Sequence, residues 1–379
     1  MNIGLLGFGV VGRGVYEITN ERNDMKVTHV LCLEDIQLPD ADVTKDYQEI
    51  LNDPTIDTVV EAMGGLHPAY EFVRAAIEAG KNIVTSNKAL VASFYDELIP
   101  LAESKGLKFR CTAAVGGGIG WLSELERARR SQSIQKGGGI MNGTCNYILD
   151  SMTRLGLDYD VALKQAQQLG YAEANPYTDV AGIDTWHKVI LSANIAFGVS
   201  LVNETVPVTG ISNIKADDIA AFTDHGYVCK LIGTGKCEEG KLSAYVQPTL
   251  VKLGEPESAV PANYNLITFV GTASGRMSLY GQGAGRYPTA YNVLQDCVDV
   301  SQGVSGFYTD RLEEAHVDNS TVYRHYYVRT KGNDSWLSAR TERILPNGVI
   351  TEAVSVSEIH AWAKQRREAD PHCFIASLR

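Results

Sequence analysis

The sequence predicts an α/β chain: a doubly wound parallel sheet followed by a second, α+β domain. Three observations carry that prediction. Apolar strands alternate with helical stretches through the first hundred residues, as in a parallel sheet covered on both faces. A glycine-rich turn, Gly7-Phe8-Gly9-Val10-Val11-Gly12, stands directly between the first strand and the first helix. Beyond about residue 130, helical stretches come together first and strand-like runs follow, which is α+β in character.

Taken in order, residues 2–6 form a short apolar strand that breaks at Gly7, and Val10 to Glu21 reads as a helix. The β-branched run Val27 to Leu33 is the second strand; residues 44–51 read as a helix before the turn Asn52-Asp53-Pro54. Thr58-Val59-Val60 is a buried strand. Pro68 opens a helix whose apolar face is Phe72, Val73, Ala76 and Ile77, and Gly80 ends it. Strand Asn82–Thr85 and a helix over 89–104 continue the alternation. Helices then follow near 144–155, 160–169 and 184–197, with strands at 227–235, 241–247, 265–271 and 275–280. Pro288 to Val300 is one more helix, and the polar, turn-rich residues 301–320 read as a linker. The last sixty residues give strand (322–329), mixed helix, strand (349–355), helix (357–367) and strand (373–377). The expected domains are 1–130 with 281–305 returning to it, 131–280, and a C-terminal segment over 315–379.

Composition narrows the function. The chain has 379 residues, enough for two or three domains, with 34 Lys+Arg against 45 Asp+Glu and a formal charge of −11. That acidity, with no long basic run, argues against a nucleic-acid partner. No apolar stretch reaches the roughly 18 residues of a membrane helix, and the opening lacks a signal peptide's pattern, so a cytoplasmic protein is expected. Seven scattered cysteines without a CxxC fit reduced thiols. The eight histidines show no HxxxH spacing, and neither GxSxG nor GxxxxGK[ST] occurs.

The glycine turn is a GxGxxG in the setting that dinucleotide binding requires. The first glycine permits the tight turn, the second lets the backbone approach a pyrophosphate, and the third lets helix and strand pack closely. The helix N-terminus then offers free N–H groups and a positive dipole end to the phosphates. Glu34 lies about 22 residues after Gly12, near the spacing at which an acid bonds the ribose 2′-hydroxyl of NAD. With no Arg or Lys close by, a carboxylate there would repel a 2′-phosphate, so NAD is favoured and NADP is the alternative. The competing reading is a solvated acidic turn.

Lys88 follows the strand Asn82–Thr85 and would face a cleft at the carboxyl end of the sheet; an ordinary loop lysine fits equally well. Asp184 and Lys188 stand at i and i+4, acid first, the order of a plain helix salt bridge. Their setting, an Asn-Pro turn with Glu173 and Asp179 nearby, points instead to chemistry. Hydride reduction of an aldehyde puts negative charge on its oxygen, which a positioned ammonium stabilises and protonates.

Together the segments GLLGFGVVGRGV, DTVVEAMGG, NIVTSNKAL, AAVGGGI, MNGTCNYILDSM, LGYAEANPYTDVAGIDTWHK and YGQGAGRYPTA resemble the homoserine dehydrogenase family in order and spacing, over about residues 1–300. The resemblance implies a Rossmann-type nucleotide domain and NAD(P)-dependent interconversion of L-homoserine and L-aspartate 4-semialdehyde, in the route to threonine, methionine and isoleucine. It implies Lys188 as general acid/base, Lys88 as a second catalytic lysine near the cofactor, and Glu173, Asp179 and Asp184 as substrate-binding acids. Gly170, Asn142, Gly143 and Thr144 would line the substrate pocket. Met63, Gly64, Gly283 and Gly285 would join the glycine turn in holding the cofactor. A homodimer is implied, and a monovalent cation such as Na+ held by carbonyls of Val115, Gly117 and Ile119. Four positions depart from the family's usual residues: Thr112 replaces Glu, Gly120 replaces Pro, Asn175 replaces Asp, and no basic residue stands near Leu33. The C-terminal segment is similar to a short ACT regulatory domain, or is a dimer-supporting appendage. Because the chain starts at the cofactor loop, no fused aspartate kinase is expected. Rival readings are a dehydrogenase for another small amino or aldehyde acid, and an NAD-binding sensor without chemistry.

Overall fold

The first strand, Asn2–Leu6 (β1), is apolar almost throughout because it is flanked on both sides by other strands. The structure, a computed structural model, describes residues 1–304 and 313–379. It divides into two units. One comprises Met1–Gln132, Asn194–Ser200 and Gly281–Glu314; the other comprises Ser133–Ala193, Leu201–Tyr280 and Ala315–Arg379.

In the first unit β1 leads to α1 (Val10–Thr19), β2 (Lys26–Leu31), β3 (Asp42–Thr44), α2 (Tyr47–Asn52), β4 (Thr58–Glu61) and α3 (Ala69–Glu78). Then come β5 (Asn82–Thr85), α4 (Lys88–Ser104), β6 (Phe109–Arg110) and α5 (Trp121–Arg129). The six strands are all parallel in the order β3-β2-β1-β4-β5-β6. This is the doubly wound order, whose chain direction reverses between β1 and β4 and so opens a ligand crevice at their carboxyl ends. The register pairs Leu6 with Glu61 and Glu61 with Thr85, so the loops after β1, β4 and β5 emerge level with one another. Four elements of this unit differ from the sequence reading: residues 42–44 form an edge strand, β3, ahead of a shorter helix, α2, and β6 and α5 went unread.

The second unit begins with β7 (Ile134–Ile140), α6 (Gly143–Leu155), α7 (Tyr159–Gln168), α8 (Tyr177–Val180) and α9 (Ile183–Phe197). There follow β8 (Val199–Leu201), α10 (Ala216–Asp224), the long hairpin β9 (Tyr227–Glu238) and β10 (Lys241–Lys252), then β11 (Tyr264–Gly271) and β12 (Gly275–Gln282). Helix α11 (Arg286–Ser301) returns to the first unit, where Ala290, Val293, Leu294 and Cys297 join Ile3, Leu5 and Val15 in one core.

The remaining elements are β13 (Glu313–Ala315), β14 (Tyr323–Arg324), β15 (Tyr326–Arg329), α12 (Ser335–Ala339), β16 (Thr341–Leu345), β17 (Gly348–Thr351), β18 (Val354–Ser355), α13 (Val356–Ala369) and β19 (Phe374–Leu378). A nine-stranded mixed sheet runs β12-β11-β7-β9-β10-β19-β15-β17-β16. Its last four strands, with α12 and α13, form a βαββαβ unit whose strands pair antiparallel. The sequence reading had one strand fewer, because β16 is mostly exposed and charged. This segment is joined to the rest through β19, which lies parallel to β10. The linker expected over 301–320 falls partly outside the described residues.

Candidate active site

The glycine turn has the shape its spacing requires. Gly7 has φ +93°, and a Cβ on Gly12 would lie 2.1 Å from the Gly7 carbonyl oxygen, so helix and strand pack backbone to backbone. A Cβ on Gly9 would meet nothing within 4 Å; the space above that residue is open, as an approaching pyrophosphate needs. Gly9 caps α1 without a side-chain bond, leaving the N-terminal N–H groups of Val10, Val11 and Gly12 for an anion. The turn therefore fits a dinucleotide.

Glu34 and its surroundings require a correction. A basic residue is close after all: Arg13, one turn into α1, reaches Glu34 at 3.3 Å and lies over the Phe8 ring at 4.9 Å. Residues 21 positions apart meet because α1 runs back beside the end of β2.

The loops after β4 and β5 hang on one buried side chain, Glu61. Its Oε1 accepts from the Met63 and Gly64 amides at 2.8 and 3.2 Å, and its Oε2 accepts the Thr85 hydroxyl at 2.5 Å. The Thr85 oxygen accepts from the Asn87 amide at 2.9 Å, and Asn87 caps α4, whose first residue is Lys88. Burial pushes the Glu61 carboxyl up, while these bonds pull it down. Sequence reasoning missed this residue; the available signal was a lone acid ending an apolar strand.

In the second unit Asn142 caps α6, its Oδ1 accepting the Cys145 amide at 2.8 Å. Its Nδ2 donates to Asp179 at 2.7 Å and to Asp184 at 2.8 Å. Lys188 donates to the Met141 carbonyl at 2.7 Å and pairs with the same Asp184 oxygen at 2.8 Å. Asp184 and Lys188 are both buried. The result is a polar cluster of two carboxylates, one amide and one ammonium. Thr144 donates to the Tyr171 carbonyl at 2.5 Å, tying the start of α6 to the loop after α7. Gly170 and Glu173 lie on that loop; the Glu173 side chain is exposed and makes no hydrogen bond or ion pair among the described residues. The structure thus gathers Asn142, Asp179, Asp184 and Lys188 and leaves Glu173 outside the cluster.

The loop expected to hold a cation is busy. Thr112 bonds Asp296 through its amide at 2.7 Å and its hydroxyl at 2.6 Å. The Gly117 carbonyl accepts from Asn292, the Ile119 carbonyl accepts the Trp121 amide at 2.6 Å, and Gly117 packs against the Gly283 backbone. No cluster of three His, Cys, Asp or Glu suited to a metal occurs among the described residues.

The family model for the homoserine dehydrogenase NAD-binding domain matches residues 7–112, and that for homoserine dehydrogenase matches residues 121–298. A homoserine dehydrogenase of Bacillus subtilis is 35% identical over 354 residues, covering 88% of this chain and 82% of its own. The chain belongs to the homoserine dehydrogenase family. A Synechocystis homoserine dehydrogenase is 37% identical, covering 86% of this chain and 78% of its own. The crystal structure of the Thiobacillus denitrificans homoserine dehydrogenase superposes with a TM-score of 0.87 at 29% identity, covering 100% of this chain and 98% of that one. The α/β architecture expected from the sequence, a parallel nucleotide sheet with a mixed-sheet domain, is that of homoserine dehydrogenases, and the activity is oxidoreductase chemistry with a nicotinamide cofactor. Among the described residues no helix is long and apolar enough to cross a membrane.

Proposed function

We propose that the chain interconverts L-homoserine and L-aspartate 4-semialdehyde, with Lys188 as general acid/base, Lys88 assisting beside the cofactor, and NAD preferred over NADP. The observation that carries this reading is the buried Lys188 ammonium, fixed between the Met141 carbonyl and Asp184. The glycine turn with Met63, Gly64, Gly283 and Gly285 would hold the nicotinamide cofactor, which would supply the hydride chemistry. Lys188 delivers a proton to the aldehyde oxygen in reduction and takes the hydroxyl proton in oxidation. Asp184 and the Met141 carbonyl hold its Nζ in place. Asp179 and Asp184, with one excess negative charge over Lys188, suit the substrate's ammonium group. Asn142 orients both acids; Gly143 and Thr144 shape the pocket floor, and Gly170 with Glu173 completes it from the loop after α7.

The direct test is homoserine oxidation followed by reduced-nucleotide absorbance, with NAD and NADP run in parallel. Lys188→Ala is expected to bind NADH normally and lose at least a hundredfold in turnover. Near-normal turnover in that variant would refute the assignment, and tight NADH binding without homoserine-dependent turnover in the parent chain would favour a sensor.

Finer parts of this reading stand on separate supports. A homodimer is favoured by β12, an edge strand with exposed residues such as Met277 and Tyr280. A monovalent cation would use the remaining lone pairs of Gly117 and Ile119, with Val115; replacing Na+ by a bulky organic cation should then lower activity. The βαββαβ order supports an ACT-like C-terminal role. A cytoplasmic biosynthetic place accords with the reduced cysteines.

A further inference from the structure

The second unit holds a cavity of about 150 Å³ on its nine-stranded sheet, lined by a concentration of cations that the proposed chemistry does not use. The cavity lies on the sheet face away from α9. A Cβ on Gly233 would point at Val189 and Thr185 of α9, so the adjacent Thr234 points the other way. Ladder pairing sets Tyr245 and Gly138 opposite Thr234, Thr268 opposite Gly138, and Val270 opposite Lys136. Strand alternation therefore puts Lys136 and Thr234 on one face.

Into this space come Lys136 from β7, Arg276 from β12, Arg324 from β14 and Arg379 after β19, against one lining side-chain carboxylate, Glu257. Arg276 takes both Glu257 oxygens, at 2.7 and 2.8 Å, and Arg379 shares the same carboxylate at 2.9 Å. Arg379 also reaches Glu255 at 3.4 Å. Lys136 and Arg324 have no carboxylate partner among the described residues, and the Thr234 hydroxyl has no hydrogen-bond partner there either. Burial, followed by the Arg379 and Arg324 charges, lowers Lys136 to about 8. In a chain of charge −11, a pocket with a surplus of cations, Lys136 and Arg324 half-buried among them, offers a site for negative charge. Its volume of about 150 Å³ accommodates a small anion.

We propose that this pocket binds a small oxyanion of the phosphate class, held by Lys136 and Arg324 and by the Thr234 hydroxyl. Arg276 and Arg379 remain braced on Glu257 and supply the surrounding field. The proposal is independent of which substrate the enzyme reduces.

The test uses the full chain saturated with NADH, so that the phosphate-binding turn of the first unit is occupied. Inorganic phosphate is titrated by calorimetry and thermal unfolding against chloride at matched ionic strength, with glycerol phosphate as a second arm. A saturable phosphate effect is expected, weakened at least tenfold in Lys136→Met and in Arg324→Gln. Loss of the glycerol phosphate arm alone would assign the site to the free anion, and its retention to phosphate esters; both support the pocket. Should Lys136→Met fold poorly, Arg324→Gln on the short β14 pair carries the comparison. No saturable effect beyond chloride would overturn the proposal, whether because the pocket is vacant or because carboxylates of a second copy fill it. Equal phosphate affinity in parent and variants would overturn it as well.

Discussion

Replacing Glu61 asks whether one buried carboxylate holds the cofactor-side loops. Every group around it donates: the Met63 and Gly64 amides, the Asn87 side-chain amide at 3.5 Å, and the Thr85 hydroxyl, whose oxygen also accepts the Asn87 backbone amide. Hydrogen bonds to an ionised acceptor are worth about 1.5–3 kcal/mol and neutral ones about 0.5–1.5. In Glu61→Gln the three shorter bonds therefore weaken by about 1 kcal/mol each, and the new amide N–H faces a hydroxyl that is itself a donor. Relief from burying a charge offsets part of this, leaving a net destabilisation of about 1–3 kcal/mol. Glu61→Ala leaves the buried Thr85 hydroxyl without its acceptor and the more open Met63 and Gly64 amides without theirs, and should cost roughly 2–5 kcal/mol. Urea unfolding reads the stability, NADH fluorescence the cofactor affinity, and steady-state kinetics at saturating NAD the homoserine KM. For Glu61→Gln the expected result is NADH binding weakened about 5–150-fold, following those energies, with the homoserine KM nearly unchanged. A folded Glu61→Gln enzyme with parental NADH affinity would refute the reasoning, as would a defect confined to homoserine.

Three other outcomes follow from the same geometry. Glu34→Gln releases Arg13 toward a 2′-phosphate, so the NAD-to-NADP preference in kcat/KM should narrow by about tenfold or more, on the Coulomb scale for a few ångströms near water; an unchanged ratio removes Glu34 as its source. Lys188→Met should destabilise by about 3–5 kcal/mol by removing the ammonium that balances the buried Asp184, while Lys188→Met with Asp184→Asn should recover stability in urea but not turnover; recovered turnover would make the pair a plain salt bridge. His360 bonds Gln247 at 2.9 Å in the C-terminal half, and burial first, with the Arg367 charge second, drives it down to about 3. A histidine neutral when folded but basic when unfolded gives full stability above pH ~6.5 and loses about 2 kcal/mol by pH 5. His360→Gln should flatten that slope in pH-dependent urea unfolding, and an unaltered slope would point to other groups.

The parallel sheet was legible because its strands are buried on both faces and so read as unbroken apolar runs between amphipathic helices. Strand β7 was not, since Ile-Gln-Lys-Gly-Gly-Gly-Ile looks like a loop. Its glycines are there for contact: a Cβ on Gly138 would lie 2.1 Å from the Gly233 oxygen and one on Gly139 2.3 Å from that of Leu266. Close approach between strands leaves no hydrophobic signature. In the site, the i, i+4 spacing exposed Asp184 and Lys188 because helix geometry alone joins them. Asn142, 37 and 42 residues from its partners, became a candidate only through the family resemblance. Glu34 was a candidate from its spacing, but its pairing with Arg13 escaped for the same reason, since their meeting depends on how α1 returns past β2. Glu61 was hidden by its neighbours, because a single acid closing an apolar strand has no periodicity of its own.

Continuity between β10 and β19 makes the tail difficult to remove. A shortened protein lacking its last sixty-five residues would bare the edge of β10 around Thr249 and Leu250, a template for sticking to its own kind. Attempts to trim the enzyme for biotechnology should therefore yield insoluble material long before they reach Lys188, unless the naked border is first blunted with charge.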